Sequence, residues 1–392
     1  MIEQRRRFTA KEYGQRQARV REAMRSQHIE LLISCDPANM YWLTGYDGWS
    51  FYVPQAVVMD ADQTLFIFLR PMDGSGAELT TDLAGDDIVV YPESCIQSPD
   101  SHPMEFLAET LKERGLEKKR TGVEKDGYYL SVRALETLRA TLAGATFHDT
   151  SQLVGRLRAV KSARELDYMN AAGKIVEAVY EKIMDIAEPG MRKNDLIAEI
   201  CHTAIRGTDD CFGDYTSIVP IIGVGEESRA AHMTWDGQLL EREVGMFFEL
   251  AGAHARYHCP CSRTLYFGTP PAKYYEIEQV INETIAVTLE AFRPGNSCAD
   301  VADVFYTTLK KLGYEKEARY AYPIGVSYPP DWGEHTMSVR SGDHTLLEAN
   351  MTFHLMSALW FDDWGFETTE SLVVTEQGGQ CLSNVPRRLL VK

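Results

Sequence analysis

Three glutamates and four aromatic residues give this chain the means to hold a small cation. Glu249, Glu367 and Glu370 stand in β-rich segments of the second half, and a carboxylate in a cleft favours an opposite charge beside it. Trp49, Phe51, Tyr52 and Tyr322 supply aromatic faces, whose negative quadrupole attracts the same kind of ligand. Each has a plainer reading. The run Trp49-Ser-Phe-Tyr52 suits domain core, and Glu367 and Glu370 suit solvated charges on an edge strand. An isolated histidine is more often a surface or core residue than a reacting group, and His258 lies where a backbone carbonyl would satisfy it. Cys259-Pro-Cys261 is the only close cysteine pair, and one pair without a second is a weak metal signal.

The bulk numbers bound the partners. Acidic residues outnumber basic ones 57 to 40, a formal charge of −17, which argues against nucleic acid, whose phosphates need Lys/Arg patches. The excess suits solubility and also a high-salt cytoplasm. At 392 residues the chain exceeds what one core usually supports, so two domains are expected. The basic N-terminal segment Met1–Thr9 has no apolar run behind it, and residues to about Met24 read as a surface helix. No stretch of 18 apolar residues occurs, so no membrane partner and a cytoplasmic location are expected. Eight cysteines scattered through apolar segments suit reduced thiols.

These residues need two α/β units to position them. Leu31-Leu-Ile-Ser, Gln55-Ala-Val-Val-Met and Leu65-Phe-Ile-Phe-Leu read as short strands, while Met104–Arg114 and Leu130–Leu142 carry helical spacing. Asp149–Ala159 reads as the junction, and Lys161-Ser-Ala-Arg-Glu-Leu as the start of a long helix. The second half repeats itself weakly. A helix over Glu165–Ala187, a stop at Pro189-Gly190 and a second helix through Leu196 and Ile200 are echoed by Tyr275–Phe292, Pro294-Gly295 and Val301–Phe305. β-rich sequence follows each pair. A cleft shared by the two halves is the expected ligand site.

Four segments of that second half resemble the motifs of the aminopeptidase P, prolidase and creatinase superfamily. Gly225-Glu-Glu-Ser-Arg-Ala-Ala-His232 matches the segment that places a histidine beside the substrate. Phe247-Phe-Glu-Leu-Ala-Gly-Ala-His-Ala-Arg-Tyr-His-Cys-Pro-Cys-Ser-Arg-Thr264 resembles the first metal motif, two aspartates followed by Arg-Thr; here Glu249 and Pro260 fill the aspartate slots. Ala321-Tyr-Pro-Ile-Gly-Val-Ser-Tyr-Pro-Pro330 has Tyr322 and Pro329 where the family has histidines. Ungapped alignment puts Met356 and Thr369 in the two glutamate slots, with Glu367 and Glu370 flanking the second. Hard divalent ions and Zn²⁺ need several oxygen, nitrogen or sulfur donors, so the expectation is no metal and no cofactor. Asp36-Pro-Ala-Asn-Met-Tyr-Trp-Leu-Thr-Gly-Tyr46 looks like the superfamily's N-terminal strand and turn. The resemblance implies a creatinase-type N-terminal α/β domain over 1–155 and a pita-bread catalytic domain with two pseudo-symmetric halves over 156–392. It also implies a homodimer in which one subunit's N-terminal domain helps cover the other's site.

Within the superfamily the chain is most similar to the ectoine hydrolase family, on Tyr46-Asp-Gly-Trp-Ser-Phe-Tyr-Val-Pro-Gln55, Glu249 with Arg256–Thr264, and Gly365-Phe-Glu-Thr-Thr-Glu-Ser371. Creatinases carry a glutamate before the Arg-Thr pair, where this chain has Ser262, and an arginine in the segment holding Glu367. The likeness implies a small-molecule substrate, ectoine, whose cyclic amidine is a delocalised cation carrying a ring carboxylate. Glu249 would then attack the carbon between the two nitrogens or activate water there. His232 would shuttle a proton, histidine being the residue type that does so near neutral pH. Trp49, Phe51, Tyr52, His258, Tyr322, Glu367 and Glu370 would hold the substrate, and Arg229 would bind its carboxylate. Two other readings stay open: another metal-free amidine or guanidine hydrolase, and a non-catalytic peptide-binding relative of the peptidases.

Overall fold

The computed structural model describes residues 5–392; the first four residues of the basic N-terminal segment lie outside them. The chain divides into two compact units, one ending at Arg158 and one running from Ala159 to Lys392.

In the first unit, β1 (Leu31–Ser34), β2 (Ala56–Asp60), β3 (Leu65–Leu69), β4 (Ile88–Val90), β5 (Arg120–Val123) and β6 (Thr146–Asp149) form one sheet. Its spatial order is β4-β3-β2-β1-β5-β6. The helices are α1 (Ala10–Ser26), α2 (Pro37–Thr44), α3 (Pro71–Thr80), α4 (Pro103–Glu113), α5 (Val132–Thr141) and α6 (Leu153–Arg158). The expected β1–β3, α4 and α5 are therefore present. Helix α1 starts at its Thr9 cap and buries the stripe Tyr13, Arg16, Val20 and Met24.

One expectation fails here. Residues 37–44 are a helix, not a strand, capped by Asp36, which accepts from the N–H groups of Ala38 and Asn39, and ended by Gly45 at φ 86°. Every residue of α2 is buried, so it lacks the polar face that gives a helix its sequence period. A fully buried helical turn and a buried strand then look alike.

The second unit confirms the repeat. Its first half has α7 (Ala163–Ile186), α8 (Lys193–Arg206), β7 (Ile221–Val224), β8 (Val244–His254) and β9 (Tyr257–Phe267). The second has α9 (Ala272–Ala291), α10 (Cys298–Lys311), β10 (Ala321–Tyr328), β11 (Asp331–Gly333), β12 (Thr352–Trp360), β13 (Gly365–Thr375), β14 (Gly378–Cys381) and β15 (Leu390–Val391). One nine-stranded sheet joins the halves in the order β14-β13-β12-β10-β9-β8-β7, with β11 on β10 and β15 on β9. Ser162 and Glu165 cap α7 reciprocally, and Ser297 and Asp300 do the same for α10.

The repeat extends to single hydrogen bonds. After α7 the N–H of Gly190 donates to Leu240 O, and Leu240 N–H returns to Met191 O. After α9 the N–H of Gly295 donates to Leu347 O, and Leu347 N–H returns to Asn296 O. Both glycines are left-handed, at φ 94° and 91°, which side chains other than glycine's disfavour. Helix α7 buries Ile175, Val176, Val179 and Ile183 completely, each such aliphatic side chain contributing about 1.5–3 kcal/mol. All eight cysteines are free thiols. Among the described residues no helix is long and apolar enough to cross a membrane.

Candidate active site

Strands β8 and β9 pair over their whole length and set Glu249 opposite Ser262, with Ile221 of β7 on its other side. Directly opposed residues of an antiparallel pair share a face. Strand β13 brings Glu367 to the same place through Thr264, whose hydroxyl accepts the Glu367 N–H at 2.9 Å and donates to its carbonyl at 3.0 Å. Glu249 is 4% and Glu367 1% exposed. Both Glu367 carboxyl oxygens and the Ser262 hydroxyl are buried, and Ser262 is near enough to act on the Glu367 carboxyl.

Glu370 does not join them. It lies three residues from Glu367, and side chains alternate along a strand, so it points to the opposite face. There Arg263 Nη2 donates to it at 2.7 Å, and Arg387 approaches at 3.4 Å. Arg263 also donates to the carbonyls of Ser262, Thr369, Val385 and Pro386. Burial pushes the Glu370 carboxyl up while the two arginines pull it back. It is a partner in a structural network and not a substrate carboxylate. His258 is likewise committed. It is fully buried; Nε2 accepts from Ser217 N–H at 3.0 Å and Nδ1 meets Arg256 O at 3.0 Å. Burial lowers its pKa to about 4, so it is a neutral structural histidine with no nitrogen left for a ligand.

Tyr322 opens a chain of hydrogen bonds. Its hydroxyl accepts from Trp332 Nε1 and meets His354 Nδ1, both at 2.8 Å, and His354 Nε2 meets Thr369 Oγ1 at 2.7 Å. The Arg319 guanidinium covers the Tyr322 ring at 4.4 Å. Burial drives the His354 pKa to about 3, Arg319 adding to the effect, so the imidazole is neutral. The fold family implies two metal ions here, and these residues do not fit them. Pro260 and Met356 offer no hard donor, and the hydroxyls of Tyr322 and Thr369 are bonded to His354. Among the described residues no three His, Cys, Asp or Glu side chains gather closely enough to hold an ion.

Two groups absent from the sequence-based set complete the electrostatics. Lys316, in the loop between α10 and β10, donates to Met356 O at 2.6 Å and Ala358 O at 3.2 Å. Its ammonium also sits 5.1 Å from the Trp360 ring centre. Burial lowers its pKa to about 8, against the pull of Glu367 and Glu249. Asp331 receives Gly333 N–H at 3.0 Å and pairs with His335 Nε2 at 2.7 Å. Burial works to raise its carboxyl, but those contacts hold it below the usual carboxylate range. Glu249 is raised to about 7, by burial first and Asp331 second, with Lys316 opposing. Glu367 is raised well above its ordinary value by burial and by Glu249. Both carboxyls are thus pushed toward their protonated forms.

His232 and Arg229 lie exposed beyond β7. Arg229 Nη1 donates to Asp362 O at 2.7 Å. Met233, next to His232, accepts the Ile222 N–H, one residue along β7 from the cross-strand neighbour of Glu249. The aromatic run belongs to the first unit. Trp49 and Tyr52 are 55% and 66% exposed, the Trp49 and Phe51 rings are 5.0 Å apart, and Tyr52 accepts from Arg70 at 3.2 Å.

Comparison with known proteins places the chain. Residues 167–376 match the metallopeptidase family M24, and residues 16–160 match the creatinase/prolidase N-terminal domain. The ectoine hydrolase of Halomonas elongata is 44% identical over 98% of both chains. An uncharacterised hydrolase/peptidase of Sinorhizobium fredii is 38% identical, again over 98% of both. A prolidase from Thermococcus sibiricus superposes with a TM-score of 0.83 at 16% identity, over 97% of this chain and 99% of its own. The pita-bread fold and its N-terminal companion are thus shown, and the chain belongs to metallopeptidase family M24.

Proposed function

We propose that this protein opens the cyclic amidine ring of ectoine by hydrolysis, giving N-acetyl-L-2,4-diaminobutyrate in ectoine catabolism, without a metal ion. The observation that carries this reading is the pair Glu249 and Glu367, both buried and acting on one another, with no cationic side chain paired directly to either Glu367 oxygen among the described residues. A ring cation is favoured beside carboxylates. The name and 44% identity of the Halomonas elongata relative support the substrate.

Glu249 adds to the carbon between the two ring nitrogens, or takes a proton from water that does so. The electrons of the C=N bond move onto nitrogen. A proton reaches the leaving nitrogen, the ring C–N bond breaks, and in the direct route water then releases Glu249. His232 shuttles protons in this reading. Arg229 has donors left for the substrate carboxylate, and Trp49, Phe51, Tyr52 and Tyr322 are its aromatic residues. The reading includes a cytoplasmic homodimer, on the strength of the superfamily likeness; light scattering after gel filtration tests the dimer. The test of function is EDTA-treated protein with ectoine, the product isomer assigned by NMR. Ring opening is expected. Its absence overturns the function, and opening only after added metal overturns the metal-free route.

A further inference from the structure

Two buried carboxyls that act on one another repel, and the two metal ions that the family would use have no donor set here. A cation is nonetheless built in. The loop after α10 folds the Lys316 side chain back so that its ammonium donates to two carbonyls of β12. One of those carbonyls belongs to Ala358, the cross-strand partner of Glu367. An ammonium has three donors, so one remains. No direct ion pair joins Lys316 to either glutamate among the described residues, yet its charge acts on both.

The plain alternative is a structural cap. Strands β10 and β12 pair only at Ala321–Pro323 against Phe353–Leu355, so the carbonyls of Met356 and Ala358 lie beyond that ladder and need a donor. A cap has no need of charge. A neutral donor would do as well, and even a half-buried charge loses hydration that a neutral group would not.

We propose that the Lys316 ammonium is the resident counter-charge of the site, a positioning residue that keeps Glu249 ionised for attack while Glu367 retains the proton for the departing nitrogen. This rests on the role given to Glu249 above and adds to it a proton held by Glu367, which His232 can exchange. One positive and one negative charge then balance inside the cleft before substrate enters. The other groups that bear on Glu249 are Asp331 of β11 and, through its hydroxyl, Tyr322 of β10, which Arg319 covers.

The test compares wild type, Lys316→Gln and Lys316→Arg. Glutamate labelled with ¹³C at its carboxyl carbon is titrated by NMR, the Glu249 signal assigned with Glu249→Gln, and kcat/KM on ectoine is followed against pH. In Lys316→Gln the Glu249 midpoint and the acid limb should both rise by about one pH unit or more. Lys316→Arg should keep both near wild type. A structural cap would lower activity evenly across pH and leave the midpoint still, which would overturn the proposal. If wild type fails to open ectoine, the proposed function falls, but the NMR titration still decides the role of Lys316. If Lys316→Gln does not fold, wild type alone decides: the Glu249 signal must show a second inflection as Lys316 deprotonates, and its absence rejects the idea.

Discussion

Thr264 holds Glu367 by both of its backbone polar groups: one hydroxyl accepts the N–H and donates to the carbonyl. The hydroxyl thereby does for β9 and β13 what a ladder of backbone bonds does between neighbouring strands. Thr264→Val keeps the shape and removes both bonds. It should cost about 1–3 kcal/mol of stability, since two buried backbone groups lose their partner. Activity should fall roughly tenfold or more as Glu367 loses its fixed position. Urea unfolding and steady-state kinetics measure the two losses separately.

Glu249→Gln removes the reacting carboxylate and one of two repelling acids. Turnover should fall by about 10³-fold or more, while the folded state survives with a melting temperature at or above wild type. Full retained activity would sink the assignment of Glu249.

The raised carboxyl of Glu249 has a consequence for stability against pH. Its folded value of about 7 lies above the ordinary 4.5, so the native state binds more protons than the unfolded chain between those values. Stability from this group is therefore fully present below about pH 4.5 and is lost as pH rises through about 7, by up to about 3 kcal/mol. Glu249→Gln should flatten that part of the profile in denaturant midpoints taken across pH 4.5 to 8.

Arg263 is fully buried and satisfies four carbonyls as well as Glu370. Arg263→Met leaves a buried carboxyl without its main partner and should destabilise by about 3–5 kcal/mol. Arg263→Met with Glu370→Gln should recover part of that loss. Equal destabilisation in the double variant would mean that the carbonyl contacts, not the charge pair, dominate.

Much of the scaffold was legible. Proline-glycine stops and apolar spacing marked α7 to α10, because those helices carry one buried face and one wet one. The all-buried α2 carried no such contrast and misread as a strand. At the site, Glu249 stands in a recognisable motif position, while Glu367 only flanks the slot that Thr369 fills. Glu370 misled because the alternation of a strand, not closeness in sequence, decides which face a side chain meets. His258 meets the backbone carbonyl that its strand position suggested, at Arg256, while Ser217, 41 residues away, is the partner that sequence does not register. Lys316 was invisible for another reason. It sits in the charged run Gly313-Tyr-Glu-Lys-Glu-Ala-Arg319, which reads as a solvated loop until the fold turns one ammonium inward.

The matched hydrogen bonds at Gly190–Leu240 and Gly295–Leu347 mean that each half of the second unit locks its own helix pair. Glu249, however, comes from the first half, and Glu367 and Lys316 from the second. Neither half therefore carries the full set of reacting groups. A chain cut in the surface loop between β9 and α9 would have to reassociate before it could turn over, so activity itself reports the docking of one lobe on the other.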